Sequence, residues 1–451
     1  MLFQDKIKSF FAGESRTVLL KKNIIGTLIL KGISIIISFL IVPLTIDFVD
    51  PTQYGIWLTL SSLLSWLFFF DIGMTNGFRN RFAEAKAKND ILLARTLVST
   101  TYATLIILSA IMLVIVLPVN HFLNWSEILK IDNSYQGELT KVFMIMIICL
   151  GGNLVAQVFS TMVTADQKPF LSSLVQVLGQ AVSLILILIF TITVKHGNLI
   201  ELALIFSSSP VVVLIIFSIV FYHTRYRIYS PSIRFVRFSL VKDILGIGSQ
   251  FFIITTSMLF IFQLMNVIIS RVLGPDSVTE YNIAFKYFNI LYMIVVIIVN
   301  PFWSAFTDAY NRKDFSWMRR MIKKLETLGF LSVMAIIAMY FVADYFYRFW
   351  VKDMVIVSTS INISVAIYVL LLLWGNIYMA MINGIGTVRI QLIIYLSFAV
   401  IAYPLMTFMC EKYGIPGLLF IPCLVFFIQS VLGKIQLRKL MKGCTSGIWA
   451  K

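Results

Sequence analysis

Charged residues are scarce in this chain of 451 residues: they make up 13% of it, whereas hydrophobic residues make up 59%. A soluble globular domain carries about 25% charged residues, so the composition excludes a chain whose whole surface faces water. Cysteine (4) and histidine (3) are also rare. The cysteines are scattered and the histidines lie singly in predicted loops. This pattern excludes a disulfide framework and argues against a metal site.

Motifs that would indicate an enzyme are missing from the sequence. There is no glycine-rich phosphate loop and no arrangement of a nucleophile with a base. The longest predicted outer loop, 119–141, is too short to fold into a catalytic domain. We therefore predict that the chain is not an enzyme and needs no cofactor. Coupling to an ion, H⁺ or Na⁺, is left open.

Long apolar runs recur along the whole chain, and each can cross the roughly 30 Å of hydrocarbon in a bilayer. The fold class predicted from them is an all-α polytopic membrane protein with about 12 transmembrane helices. The predicted spans are 24–48, 54–75, 96–118, 142–165, 171–194, 200–222, 244–270, 280–306, 327–346, 358–383, 390–410 and 418–433.

Lysine and arginine are unevenly divided between the two sets of loops. The loops on the side of the N-terminus hold about four times as many as the opposite set, which places both termini in the cytoplasm. The same bias accounts for the net charge of +16. Anionic membrane lipids are therefore the expected neighbours of this charge, and no nucleic acid is expected as a partner.

The sequence repeats itself at an offset of 224 residues. Segments 76–95 and 300–319 share six identical residues at this spacing, and Pro51 and Pro275 share it too. An even number of spans separates the copies, so both have the same orientation. We predict two six-helix lobes related by a parallel pseudo-twofold repeat. The boundaries are 1–222 for the N-lobe, 223–243 for a basic cytoplasmic linker and 244–451 for the C-lobe.

Polar side chains recur on single faces of several predicted spans. A polar stripe along a transmembrane helix is expected to face the bundle interior or a water-filled cavity. We predict that these stripes line a central lumen. Their members are Thr27, Lys31, Ser34 and Ser38 in the first span, Gln263 and Asn266 in the seventh, and Asn282 and Asn289 in the eighth.

Three cations are the candidate ligands for an anionic headgroup in that lumen: Lys31, Lys286 and Arg271. A lysine at a helix centre costs about 2.5–3.5 kcal/mol on insertion scales, so its presence in a span suggests a use. There are two alternatives. The long side chains of the two lysines can extend to the membrane interface and keep their ammonium groups in water, and Arg271 can be an anchor at the interface.

The repeated segments and the helix end before them are predicted to form an inner gate or a lobe scaffold. The predicted residues are Asp71, Asn76, Arg79, Asn300 and Asp308. For Asp71 we expect an ion pair with Arg79 or a contact at a helix end. No Asp or Glu lies convincingly in the middle of a span.

Two runs of the first lobe, VPLTIDFVDPTQYGIWLTL and DIGMTNGFRNRFAEA, resemble a known family, as does SQFFIITTSMLFIFQLMNVIISRVLGPDSVTEYNIAFKYFNIL in the second. The resemblance is to the polysaccharide-biosynthesis branch of the multidrug/oligosaccharidyl-lipid/polysaccharide exporter superfamily, the Wzx-type O-antigen flippases. It implies a V-shaped pair of six-helix bundles in the bacterial inner membrane. Alternating access would move an undecaprenyl-pyrophosphate-linked oligosaccharide between leaflets, with basic lumen residues holding the headgroup. A monomer is expected to suffice.

Two other functions stay open at this point. A multidrug cation antiporter of the same superfamily would need buried carboxylates, which the predicted spans lack. A membrane glycosyltransferase or polymerase would need a large polar catalytic loop, and no predicted loop is long enough.

Overall fold

The computed structural model describes residues 15–71, 73–166, 168–194, 197–245, 263–352, 354–387, 389–442 and 447–449. These residues are helical throughout, with short turns and no strand. Nine of the described helical segments are long and apolar enough to cross a membrane. The predicted class, an all-α polytopic membrane protein, is confirmed.

The described residues form fourteen α-helices, which are numbered in chain order. Their bounds are α1 Ser15–Val49, α2 Pro51–Ser65, α3 Met74–Ala87, α4 Ile91–Phe122, α5 Trp125–Leu129, α6 Gln136–Ala165, α7 Pro169–Thr193, α8 Leu199–Ala203, α9 Ser209–His223, α10 Gln263–Leu273, α11 Pro275–Asn311, α12 Phe315–Val351, α13 Thr359–Ile385 and α14 Arg389–Leu440. Inside α14, Gly414 leaves helical geometry at φ 66° and ψ −152°, which separates the predicted eleventh and twelfth spans.

The predicted second span is divided in the structure. Helix α2 ends at Ser65, a 3₁₀ helix covers Trp66–Asp71, and α3 begins at Met74. Gly73 precedes α3 with φ 76°, a left-handed conformation that glycine adopts without the Cβ penalty. The continuous span 54–75 was therefore wrong in this detail. Most of the predicted seventh span, 246–262, lies outside the described residues.

The two repeated segments have matching backbone geometry at the turn within each of them. In each copy a left-handed residue separates two helices, Asn89 with φ 55° and Lys313 with φ 57°. The following aspartate then caps the next helix. The carboxylate of Asp90 accepts a hydrogen bond from the amide three residues later at 2.8 Å, and that of Asp314 does so at 3.0 Å. Each pair is related by the offset of 224.

A second repeated turn lies at the start of α2 and α11. Asp50 has φ 90° and Gly274 has φ 94°, and each precedes a proline that opens a helix. Proline suits this position because its fixed φ is pre-organised for the first helical turn and its missing N–H has no intrahelical partner there. The same short turn thus enters the second span of each predicted lobe.

Contacts divide the chain into two compact units. The first unit comprises the described parts of Met1–Val49, Leu67–Trp125 and Ser134–Ile253, and the second those of Asp50–Trp66, Ser126–Asn133 and Ile254–Lys451. Helix α2 belongs to the second unit, where it packs against α11. The predicted lobe boundaries stay a prediction.

The matched residues of the repeat form part of the core of each unit. Phe78 and Phe82 are fully buried in a cluster of the first unit, and Phe306 in a cluster of the second. Ala85 and Ala309, also related by the offset, accompany them. The repeated residues therefore serve packing within each unit, which agrees with a scaffold role for these segments.

Candidate functional site: a neutral cavity in the second unit

The second unit holds a cavity of about 380 Å³ between α10, α11, α13 and α14. No charged side chain lines it among the described residues. Its polar lining consists of amides and phenols: Gln263, Asn266, Asn282, Asn289, Asn376, Gln429, Tyr281, Tyr292, Tyr368 and Tyr395. Phe285, Phe426, Leu372 and two methionines complete the wall.

The cavity brings together four of the polar residues that the sequence placed on the seventh and eighth spans. Asn282 and Asn289 lie seven residues apart on α11, two turns along one face, and Gln263 and Asn266 lie one turn apart on α10. Helical periodicity predicted the shared face on each helix, whereas the central lumen that these faces were predicted to line stays a prediction. Their role toward a substrate stays a prediction.

A chain of hydrogen bonds fixes one side of the cavity. Asn282 donates from Nδ2 to Oδ1 of Asn266 at 2.9 Å, and Asn266 donates to Oγ of Ser62 at 2.8 Å. Ser62 in turn donates to the carbonyl oxygen of Leu58 at 2.9 Å. Each side-chain amide carries two N–H donors and one oxygen acceptor. The network orients the two asparagines across α2, α10 and α11.

The opposite side was missed by sequence reasoning. Asn376 donates to the phenolic oxygen of Tyr292 at 3.2 Å, and Tyr395 donates to Oε1 of Gln429 at 2.8 Å. Asn376 and Gln429 each interrupt a long apolar run, and that interruption is the signal that could have identified them. Each also has a second amide two helical turns further along its helix, Asn383 and Gln436, and the search for stripes passed over both pairs.

The chemistry of this cavity suits an uncharged, hydroxyl-rich molecule. Amides and phenols both donate and accept hydrogen bonds, as pairs of neighbouring hydroxyl groups do. Tyrosine rings offer flat apolar faces beside a polar group. A small ion with full charge would find no opposite charge among the lining residues.

Two of the predicted cations lie in the second unit but outside this lining. Lys286 is partly buried and its Nζ donates to the phenolic oxygen of Tyr54 at 3.0 Å. Arg271 donates from Nη1 to the phenolic oxygen of Tyr403 at 3.2 Å. Lys286 follows the lining residue Phe285 on α11, so its ammonium lies on an adjoining face. Their binding of an anion stays a prediction.

The predicted stripe on α1 is not uniform. Ser34 donates to Oε1 of Gln180 on α7 at 2.6 Å, which joins two helices of the first unit. Lys31 and Ser38 are exposed, whereas Thr27 is partly buried. Ser34 therefore serves helix packing, and a lumen role for the stripe stays a prediction.

The predicted gate residues show one of the two expected contacts. The carboxylate of Asp71 accepts from Oγ1 of Thr75 at 2.6 Å and from its backbone amide at 3.2 Å. This is the contact at a helix end, at the start of α3. Asn76 and Arg79 are exposed, and Asn300 and Asp308 lie on α11 with side chains outside the described residues.

A buried acid in the first unit was also missed. Asp166 follows α6, and its side chain is 1% exposed. It accepts a hydrogen bond from Tyr226 at 2.8 Å and contacts the ammonium groups of Lys86 and Lys168. Burial raises the pKa of Tyr226 to about 12, so its hydroxyl stays protonated, and can donate, well above neutral pH. Lys168 is two residues from Asp166, but Lys86 and Tyr226 are distant in the sequence, which hides the cluster from a linear reading.

The fold and this cavity define a helical, multi-pass membrane protein with a polar but uncharged cavity in one unit. The family profile described as "Polysaccharide biosynthesis protein" matches residues 20–305. That range is more than half of the sequence, and the chain belongs to this family.

Similar proteins have names that concern O-antigen. The chain is 22% identical over 405 residues to a Salmonella typhi protein named as an O-antigen transporter, with 88% of this chain and 89% of that protein covered. It is 21% identical over 408 residues to a Yersinia pseudotuberculosis protein named as an O-antigen export protein, with 86% and 88% covered. At the level of the family, these relatives support polysaccharide or O-antigen export.

A solved structure shares the fold. The inward-facing conformation of a multidrug resistance MATE family transporter of the MOP superfamily superimposes with a TM-score of 0.66. The match covers 91% of this chain and 99% of that one at 16% sequence identity. At this identity the likeness shows that the chain shares the fold of that transporter, and it concerns the fold alone.

Proposed function

We propose that this protein moves a lipid-linked oligosaccharide across the bacterial inner membrane by alternating access. The carrier is expected to be undecaprenyl pyrophosphate. The observation that carries the proposal is the neutral cavity of amides and tyrosines, because its lining matches sugar hydroxyls and sugar ring faces. Membership of the polysaccharide biosynthesis family supports the same substrate class. On this proposal both termini lie in the cytoplasm and a monomer suffices.

The size of the cavity sets what part of the substrate it holds. Its volume of about 380 Å³ lies at the lower end of the range for small-molecule sites. It has room for roughly one or two sugar rings, not for a long glycan. We therefore propose that the cavity engages only the sugars nearest the carrier or a terminal sugar, while the remaining glycan extends away from it.

The diphosphate of the carrier requires a cation, and the neutral cavity offers none. Lys286 is the best placed, because it adjoins the cavity and is held by the hydroxyl of Tyr54. An ammonium in low-dielectric surroundings attracts a phosphate more strongly than in water. We propose that the diphosphate headgroup contacts Lys286 first. Lys31 and Arg271 are proposed as further cations that it contacts during transport.

Alternating access needs a closure that can open, and the repeated turn is our candidate. Thr52 donates to Oδ1 of Asp276 at 2.5 Å. These residues are equivalent under the offset of 224, and equivalent residues touch each other where a local twofold axis passes between them. Thr279 adds a hydrogen bond to the carbonyl oxygen of Pro51 at 2.7 Å.

The matching contact on the other side of this local axis is made by Gly55. A Cβ on Gly55 would lie 1.9 Å from the carbonyl oxygen of Pro275, so only glycine permits this approach. The charge bias of the loops places the turn at the outer face. We propose that these contacts close the outer entrance of the second unit and separate when the substrate is released.

Transport in proteoliposomes tests the proposed function. The substrate is an undecaprenyl-diphosphate-linked oligosaccharide from O-antigen-producing cells, and the readout is its accessibility to an added glycosidase. We expect protein-dependent exposure of the glycan in the opposite leaflet. Absence of such movement, together with efflux of a cationic dye by the same vesicles, would favour the antiporter and reject the flippase.

A further inference from the structure

A second cavity of the second unit, of about 510 Å³, has a different lining. It lies between the start of α12 and the end of α14, with Tyr378 of α13 contributing to its wall. Basic side chains dominate it: Arg319, Lys323, Lys434, Arg438 and Lys442. Glu326 is the single acid among the described residues that line it. Neither the family nor the proposed transport site assigns this cavity a role.

Helical spacing places the basic groups of this cavity on the helix faces that line it. Arg319 and Lys323 lie one turn apart on α12, Lys434 and Arg438 lie one turn apart on α14, and Lys442 follows the end of α14. Helix α13 packs against both α12 and α14. Two rows of cations therefore face a common cavity instead of spreading over the surface.

Only one of these cations is neutralised by the acid in the lining. Glu326 forms an ion pair with Lys434 at 2.9 Å and accepts a hydrogen bond from Tyr378 at 2.7 Å. The other cations have no ion pair with an acid of the described residues. Arg319, Lys323 and Arg438 are exposed, so a ligand can reach them. The cavity carries an excess of positive charge that a bound anion would balance.

We propose that this cavity binds the phosphate headgroup of an anionic membrane lipid. Guanidinium groups match phosphate oxygens with paired N–H donors, and the lysines add charge. Ile322, Leu437 and Met441 line the same cavity and offer an apolar surface to the lipid chains. The charge bias places this end of the unit at the cytoplasmic leaflet, where basic pockets between helices bind lipid headgroups. The site is independent of the transported substrate.

The neighbouring cations of α12 provide a matched control. Arg320 and Lys324 each directly follow a lining residue, carry the same charges and are exposed, but they do not line the cavity. The double variants Arg319→Gln/Lys323→Gln and Arg320→Gln/Lys324→Gln remove equal charge from the same turns of one helix. A surface attraction for anionic lipid would be weakened equally by both.

The experiment measures cardiolipin binding to the purified full chain in neutral detergent, by native mass spectrometry and thermal unfolding. We expect Arg319→Gln/Lys323→Gln to raise the Kd for cardiolipin about 30-fold and to remove its thermal stabilisation. Arg320→Gln/Lys324→Gln should retain most of the affinity. The melting temperatures without lipid, compared among the three proteins, show whether each variant is folded.

Two further ligands distinguish the sources of phosphate. Phosphatidylcholine, which has no net charge, should not stabilise the protein. Inorganic diphosphate should stabilise it less than cardiolipin at equal concentration, because it lacks chains for the apolar wall. Equal loss of cardiolipin binding in both double variants would overturn the site. Equal stabilisation by inorganic diphosphate would overturn its assignment to a lipid.

Discussion

The two cavities of the second unit differ in charge although they share helices. On α13, Asn376 lines the neutral cavity and Tyr378, two residues further on, lines the basic one. On α14, Gln429 lines the neutral cavity and Lys434, little more than one turn further on, lines the basic one. A cation costs about 2.5–3.5 kcal/mol at a helix centre and much less near the interface. Uncharged amides thus supply the polarity of the first cavity, whereas the cations of the second lie near the ends of α12 and α14.

This comparison assigns separate tasks to the two cavities. On our proposals the neutral cavity handles sugar during transport, and the basic cavity holds a lipid at the membrane surface. Variants of one cavity should leave the task of the other unchanged. The following predictions test the roles assigned to these cavities and to the contacts around them, beginning with the largest expected effect.

Cross-linking the repeated turn should abolish transport and leave both cavities intact. In a background without the native cysteines, Thr52→Cys/Asp276→Cys places two thiols where the native side chains touch at 2.5 Å. We expect oxidation to stop transport in proteoliposomes and a reductant to restore it. Each single cysteine variant should transport under both conditions. Undiminished transport by a fully cross-linked protein would show that this turn is not the outer closure.

Removing the buried acid Asp166 should reduce the stability of the protein, because its carboxylate balances the charges of two lysines. Asp166→Asn leaves Lys86 and Lys168 without their shared partner, and we expect a loss of about 3 kcal/mol in free energy of unfolding. Thermal unfolding measures it. Glu84→Gln, which breaks only exposed pairs, is the control and should leave the melting temperature unchanged. Equal melting temperatures for both variants would contradict the assignment.

Replacing Asn376, an amide of the neutral cavity, should slow transport more than replacing Asn383, which does not line the cavity. Asn376→Leu keeps the approximate size but leaves the hydroxyl of Tyr292 without this partner. We expect transport of the oligosaccharide carrier to fall about tenfold, the usual scale for one lost buried hydrogen bond. Asn383→Leu changes the same residue type on the same helix outside the cavity. A comparable defect in both variants would indicate a general effect on α13.

Lys286→Met should have the smallest of these effects. The ammonium that we propose for the headgroup is removed, and a loss of about fivefold in affinity for the carrier is expected. Tyr54→Phe removes the oxygen that holds the lysine but keeps the cation, so a smaller loss should follow. Carrier binding by the two purified variants provides the measurement. Unchanged binding by Lys286→Met would exclude this lysine from the headgroup site.

The sequence was informative where a period or an offset was present. The repeat of 224 residues predicted matching turns, and Asn282 and Asn289 were found because two helical turns separate them. The division of the second span was missed, because WLFFFD is as apolar as a helix and hydropathy does not distinguish 3₁₀ from α geometry. Gln429 was missed because its partner Tyr395 is distant in the chain. Asp166 was missed because Lys86 and Tyr226 become its neighbours only through packing.

The most direct test of the neutral cavity compares two cargoes in one assay. Wild-type protein and the Asn376→Leu variant are given undecaprenyl diphosphate with its oligosaccharide and without it. A sugar-binding cavity predicts that the substitution slows only the glycan-bearing carrier, by about tenfold relative to wild type. An equal slowing of both carriers, or of neither, would contradict the assignment of the cavity to sugar.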